Sequence, residues 1–138
     1  MSKFKIYLFG QMSGLTYEEM NEWREEATKI LQLSSDLILT VNPCHFYNFL
    51  IDANTYTEKE VKLFDLHQVR TSNLLLGKMS NSIGTAQELQ VAEDNHIPII
   101  GYGDSNNVHP WMMLALTKMC PTLEDAIDHI VKFYLPNV

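Results

Sequence analysis

Two acids in this sequence occupy positions where a folded chain ordinarily puts apolar side chains. In SIGTAQELQVAEDN, residues 82–95, positions 85, 88, 89 and 92 share one face of a helix, and Leu89 and Ala92 mark that face as the packing one. Glu88 therefore points inward. It falls near the helix start, where unpaired amides and the dipole favour an ionised acid, and a partly desolvated carboxylate held anionic is what a nucleophile needs. The second acid is Asp65, which lies among Val61, Phe64, Gln68 and Val69, the buried side of a helix predicted to open at Thr57. Either acid alone has an ordinary reading as a cap or half of an ion pair; two of them on helices that flank one crevice suggest chemistry.

The elements that must carry these acids follow from periodicity and turn signals. KFKIYLFG reads as a first strand closed by the small-residue turn QMSG. Thr16 and Glu19 form a capping box, after which Met20, Trp23, Ala27, Ile30 and Leu31 make a helical stripe ending near Leu33. LILTV at 37–41 is a short buried strand closed by Asn42-Pro43. The aromatic stretch CHFYNFLIDANTY suits a loop packed by its own side chains. Thr57 and Glu60 form a second capping box, opening a helix to about Ser72. NLLLG at 73–77 is a third strand, the helix from Gly84 to Asn95 follows, and IPIIGY is a fourth strand. Residues 110–119 read as a short helix, and Thr122 caps a last helix whose Leu123, Ala126, Ile127, Ile130 and Val131 form an apolar stripe.

Strands alternating with helices predict an α/β fold: a flavodoxin- or Rossmann-like three-layer sandwich around a parallel sheet of four to five strands, in one domain spanning 1–138. In the common 2-1-3-4 order, ligands bind beyond the carboxyl ends of strands one and three. That brings together FGQMSG, with Gly10 and Met12, and GKMSNSIG, with Ser80, Ser82 and Gly84. Such small-residue loops suit close approach to a ligand and equally suit ordinary turns.

Composition narrows the ligand. The 138 residues are 46% hydrophobic, enough for one core, and the net charge of -7 argues against a nucleic-acid partner and for a small molecule. No apolar run approaches the roughly 20 residues of a membrane span, and MSKFKIYLFG does not read as a secretory signal, so no membrane role and a cytoplasmic location are expected. Cys44 and Cys120 have no CxxC or His spacing and read as reduced thiols; no metal site is expected.

IYLFGQMSG near the start, D-L-x-x-V-x-x-S-N-L-L-L-G at 65–77 and S-I-G-T-A-Q-E-L at 82–89 together resemble the nucleoside 2-deoxyribosyltransferase family, including its 2'-deoxynucleoside 5'-phosphate N-hydrolase branch. The resemblance spans nearly the whole chain. It implies that Glu88 attacks the anomeric carbon of a 2'-deoxyribonucleoside, that Asp65 handles the proton of the base, and that the Tyr7 hydroxyl helps to position Glu88. A carboxylate nucleophile and a second acid are the two roles of a retaining glycosidic cleavage, with no cofactor required. The resemblance further implies a homodimer or higher homo-oligomer. A catalytically inactive nucleotide-binding protein on the same fold is the alternative, and retention of Glu88, Asp65 and Tyr7 together favours the enzyme.

One position separates substrates. The resemblance implies an aspartate six residues before the nucleophile in transferases acting on free nucleosides; here that position is Ser82, as in members that cleave 5'-monophosphates. Ser80, Asn81 and Ser82, with the amides of Ile83 and Gly84, are then candidates to cradle a phosphate, or simply a solvated turn. Those members also carry an arginine in the first loop, where this chain reads Gln11-Met12-Ser13-Gly14. His45, Tyr47 and Phe49 are weaker candidates for stacking on a base, and His109-Pro110-Trp111 reads either as a segment reaching a neighbouring subunit's site or as a helix start with a packing Trp.

Overall fold

A computed structural model of the chain describes residues 3–47 and 55–135. The elements run β1 (Phe4–Phe9), α1 (Tyr17–Ser34), β2 (Ile38–Val41), α2 (Thr55–Arg70), β3 (Leu74–Lys78), α3 (Ile83–Asp94), β4 (Ile99–Tyr102), α4 (Pro110–Ala115), β5 (Lys118–Cys120) and α5 (Leu123–Tyr134). All five strands are parallel in the order β2-β1-β3-β4-β5, and the order reverses between β1 and β3. No helix among the described residues is long and apolar enough to cross a membrane.

The period of two along β1 sorts its side chains onto two faces. Ile6 and Leu8 join Ala27 and Leu31 of α1 and Leu123, Ala126, Ile127 and Ile130 of α5 in one core. Tyr7 and Phe9 face the other way, with Val69 of α2, Leu89 and Ala92 of α3 and Met112 of α4. This parity places the Tyr7 phenol on the same side of the sheet as the two helices that carry the acids. The Thr16–Glu19 capping box is complete, each side chain bonding the other's backbone amide.

Three sequence expectations need correction. The stretch 110–119 is not one helix: α4 stops at Ala115, and Lys118–Cys120 become the edge strand β5, aligned by the Thr117 amide donating to Ile99 O and the Thr117 hydroxyl accepting from Ile99 N. Thr57 lies inside α2 rather than at the position before it, because the chain is already helical from Thr55. Phe64, read as core-facing, is 44% exposed; only Val69 of the four marker residues is buried, since α2 packs mainly against α3 rather than down onto the sheet.

Phe9 and Gly77 are paired in register at the carboxyl ends of β1 and β3. A Cβ at Gly77 would overlap both the carbonyl oxygen and the ring of Phe9. Gly77→Ala is therefore expected to destabilise the fold by about 1–3 kcal/mol through overpacking, read as a lower denaturation midpoint. An unchanged midpoint would show that Phe9 can step aside.

Candidate active site

On the face of the sheet covered by α2 and α3, Asp65 and Glu88 come within electrostatic reach of the Tyr7 phenol of β1. Glu88 is the sixth residue of α3 and only 8% exposed. It follows the buried Thr85 by three residues and precedes Leu89 and Ala92, so the stripe predicted for this helix is the stripe that packs. Its place in the second turn takes it past the strongest part of the N-terminal field, which acts within the first turn. Burial dominates instead and lifts its pKa to about 8; the Tyr7 hydroxyl and Arg24 oppose the rise, and the Asp65 charge adds to it. The expectation of a carboxylate held anionic by the helix start is thus reversed.

Asp65 is half-buried, and burial raises it to about 6 against the pull of the Tyr47 hydroxyl and Arg24. Tyr47 donates its phenol to Asp65 Oδ1 and also lies 3.3 Å from Val61 O. Its ring sits edge-on to Phe46 and Phe64, an aromatic cluster that fixes the phenol over the acid. Phe49, the third aromatic singled out in this loop, lies outside the described residues, and His45 turns away to pair with Glu25 at 2.6 Å.

Tyr7 is fully buried, and its hydroxyl has no partner in hydrogen-bond geometry, yet it is close enough to Glu88 to favour the carboxylate. Burial, then the charges of Glu88 and Asp65, push the phenol's own pKa well above its usual value. It stays neutral beside the acids.

The loop residues divide. A side chain at Gly10, whose φ is 155°, would crowd the Trp23 ring and the Arg24 guanidinium. Ser82 caps α3, accepting from Thr85 N at 3.2 Å and donating to Thr85 Oγ1 at 2.6 Å. Its hydroxyl is engaged in the fold rather than offered to a ligand. Ser80 Oγ is buried without a partner. Asn81 bridges Asn107 O and His109 N, tying this loop to the start of α4. Met12 is half-buried and Gly84 exposed, and no hydrogen bond among the described residues links either to the carboxyls. His109 caps α4, while Trp111 is 81% exposed and meets the His109 ring edge-on.

Sequence reasoning missed two residues. Arg24 is fully buried in the middle of the α1 stripe, between Met20 and Ala27, where the rule that exposed Glu88 as inward applies equally well. Tyr47 was weighed for stacking on a base, not for bonding Asp65.

Two acids separated in this way share one proton between about pH 6 and pH 8. Such a pair can supply a nucleophile and a proton donor at once.

The five-stranded parallel sheet in this order, flanked by helices, is consistent with the nucleoside deoxyribosyltransferase fold. No family model matches the sequence, and no curated protein matches it. The chain superposes on a conserved protein from Enterococcus faecalis V583 with a TM-score of 0.75 at 15% identity, covering 95% of this chain and 99% of that one. It matches a 2-deoxyribosyltransferase from Bacillus psychrosaccharolyticus with a TM-score of 0.71 at 15% identity, covering 90% of each chain. A CMP N-glycosidase, BcmB, from Clostridium botulinum gives a TM-score of 0.54 at 13% identity, covering 95% of this chain and 99% of that one. At such identities the likeness establishes the fold.

Proposed function

We propose that this protein cleaves the N-glycosidic bond of 2'-deoxyribonucleosides or their 5'-monophosphates, passing the sugar to another base or to water. The observation that carries the reading is the convergence of Glu88, Asp65 and Tyr7 where the strand order reverses, with Asp65 close enough to raise Glu88 and both acids close enough to raise Tyr7. A Glu88 carboxylate oxygen forms a bond to C1' as the C1'–N bond breaks, and the departing base nitrogen takes the proton of Asp65. Water or an incoming base then attacks C1', releases Glu88 and returns its proton to Asp65. Tyr7, which lies close enough to favour the Glu88 carboxylate, would hold it to one approach, and Tyr47, bonded to Asp65, would orient that acid toward the base. Because Asp65 is the stronger acid of the pair, their shared proton rests mainly on Glu88, and the reactive form is the one with that proton moved to Asp65.

The neighbours' activities support this reading: one is a 2-deoxyribosyltransferase and another a CMP N-glycosidase. The test is an incubation of deoxynucleosides and their 5'-monophosphates, with and without an acceptor base, followed by chromatography. New nucleoside identifies a transferase, and base released without acceptor a hydrolase. No product from any of them, with ligand binding still seen as a thermal shift, would replace the enzyme by a binding protein.

For monophosphates, the Ser80 hydroxyl, which has no hydrogen-bond partner among the described residues, and the first amides of α3 would receive the phosphate. Aspartate is itself a good N-cap, so Ser82→Asp keeps the helix start while adding a negative charge there. The variant is expected to lose about 10-fold or more in kcat/KM on monophosphates and little on free nucleosides. Equal losses on both would reject the phosphate assignment.

A further inference from the structure

Among the described residues, Arg24 and Glu88 are the only buried charged side chains, and they do not pair with one another. Such a cation is costly unless its donors are satisfied. The sheet register explains how they are. Asn73 N donates to Lys5 O and Phe4 N donates to Leu37 O, so odd-numbered carbonyls of β1 point toward β3 and even-numbered ones toward β2. β2 ends at Val41, opposite Tyr7, while β1 runs on to Phe9. The carbonyls of Leu8 and Gly10 thus face the side where the neighbouring strand has stopped. Arg24 Nε donates to Leu8 O at 3.1 Å and Nη2 to Gly10 O at 3.0 Å, while Nη1 reaches Met20 O and lies 3.7 Å from Cys44 Sγ. The guanidinium stands in for the missing strand, and its carbon lies 4.8 Å from the Trp23 ring centroid.

We infer that Arg24 is a positioning residue of the site: its fork completes β1 beyond the end of β2, setting where the Gly10–Gly14 loop departs, and its charge backs the two carboxyls from the far side of the sheet. This deepens the glycosidic reading and rests on it for the rate, though not for the electrostatics. The groups that face this charge are Tyr7 and Tyr102 of the sheet, Cys44 after β2, Asp65 of α2 and Glu88 of α3; Glu25, Glu26 and Glu124 act more weakly on Cys44 or Tyr102. Arg24 favours the ionised form of each of the five.

Two variants separate fork from charge. Arg24→Lys keeps the charge and loses the planar pair of donors; Arg24→Gln keeps some hydrogen bonding and loses the charge. Each is checked for folding by its thermal melt, then read by the kinetic pH profile and by a carbon-13 titration of the Glu88 carboxyl, assigned through its loss in Glu88→Gln. For Arg24→Lys the expected result is a kcat about 10–100-fold lower with the Glu88 titration in place. For Arg24→Gln the Glu88 titration moves upward by about one unit, and the rate profile moves with it. A wild-type rate in Arg24→Lys, or an unmoved Glu88 in a folded Arg24→Gln, overturns the inference. If Arg24→Gln does not fold, the rate of Arg24→Lys decides. If no variant or wild-type protein turns over any substrate, the titration alone decides the coupling, and only the glycosidic reading fails.

Discussion

Glu88→Gln is expected to remove turnover, by at least about 10³-fold, and at the same time to make the protein more stable at alkaline pH. The first effect follows from the loss of the oxygen that bonds to C1'. The second follows from linkage. Glu88 is raised in the folded state from 4.5 to about 8 by burial, so the native protein holds a proton that the unfolded chain has already released. The stability tied to that proton is fully present below the unfolded value and is lost as pH rises through about 8. At about 1.4 kcal/mol per unit, the shift sets an upper limit of roughly 5 kcal/mol, and a neutral isostere should recover about 2–4 kcal/mol above pH 8 and little at pH 4. Denaturant melts of both proteins at the two pH values measure it. A variant that loses activity without gaining stability at high pH would mean that the carboxylate is solvated or paired in the folded state.

The second large effect concerns Asp65. With the pair active only when it holds one proton, kcat/KM should describe a bell with limbs near pH 6 and pH 8. Asp65→Asn removes the donor, and a loss of about 10²–10⁴-fold is expected on substrates whose base needs a proton to leave. On a nucleoside with an activated, weakly basic leaving group the loss should nearly vanish. The alkaline limb should vanish there too, leaving a single rise with pH that belongs to Glu88. That rise should fall below pH 8, since the Asp65 charge no longer opposes ionisation of Glu88. An alkaline limb that persists in Asp65→Asn would assign the proton donor elsewhere, with Tyr47 the next group in line.

Much of this architecture was legible because it rests on periodicity. Alternating strand and helix patterns, with Thr16 and Thr122 as caps, led to a parallel sheet in the right order, and the 88, 89, 92 spacing was enough to turn Glu88 inward. β5 was not legible: three residues carry no period, and the strand exists through its pairing with β4 and the Thr117 bonds to Ile99. Arg24 was passed over because a charge within an amphipathic stripe reads as surface until the carbonyls it serves are known, and those depend on where β2 stops relative to β1. The protonation of Glu88 was misread for a related reason. Helix position can be counted along the chain, but burial is a property of what α2 and the sheet place around it, and here burial outweighs the helix field.

The most direct measurement is intact-mass analysis of the protein quenched during turnover of a deoxynucleoside, followed by digestion to locate any modified peptide. The account predicts a covalent species heavier by one 2-deoxyribosyl group, attached at Glu88 and missing from Glu88→Gln. Product formation through a deoxyribosyl group found on another residue, or with water attacking directly and inverting the anomeric centre, would contradict it.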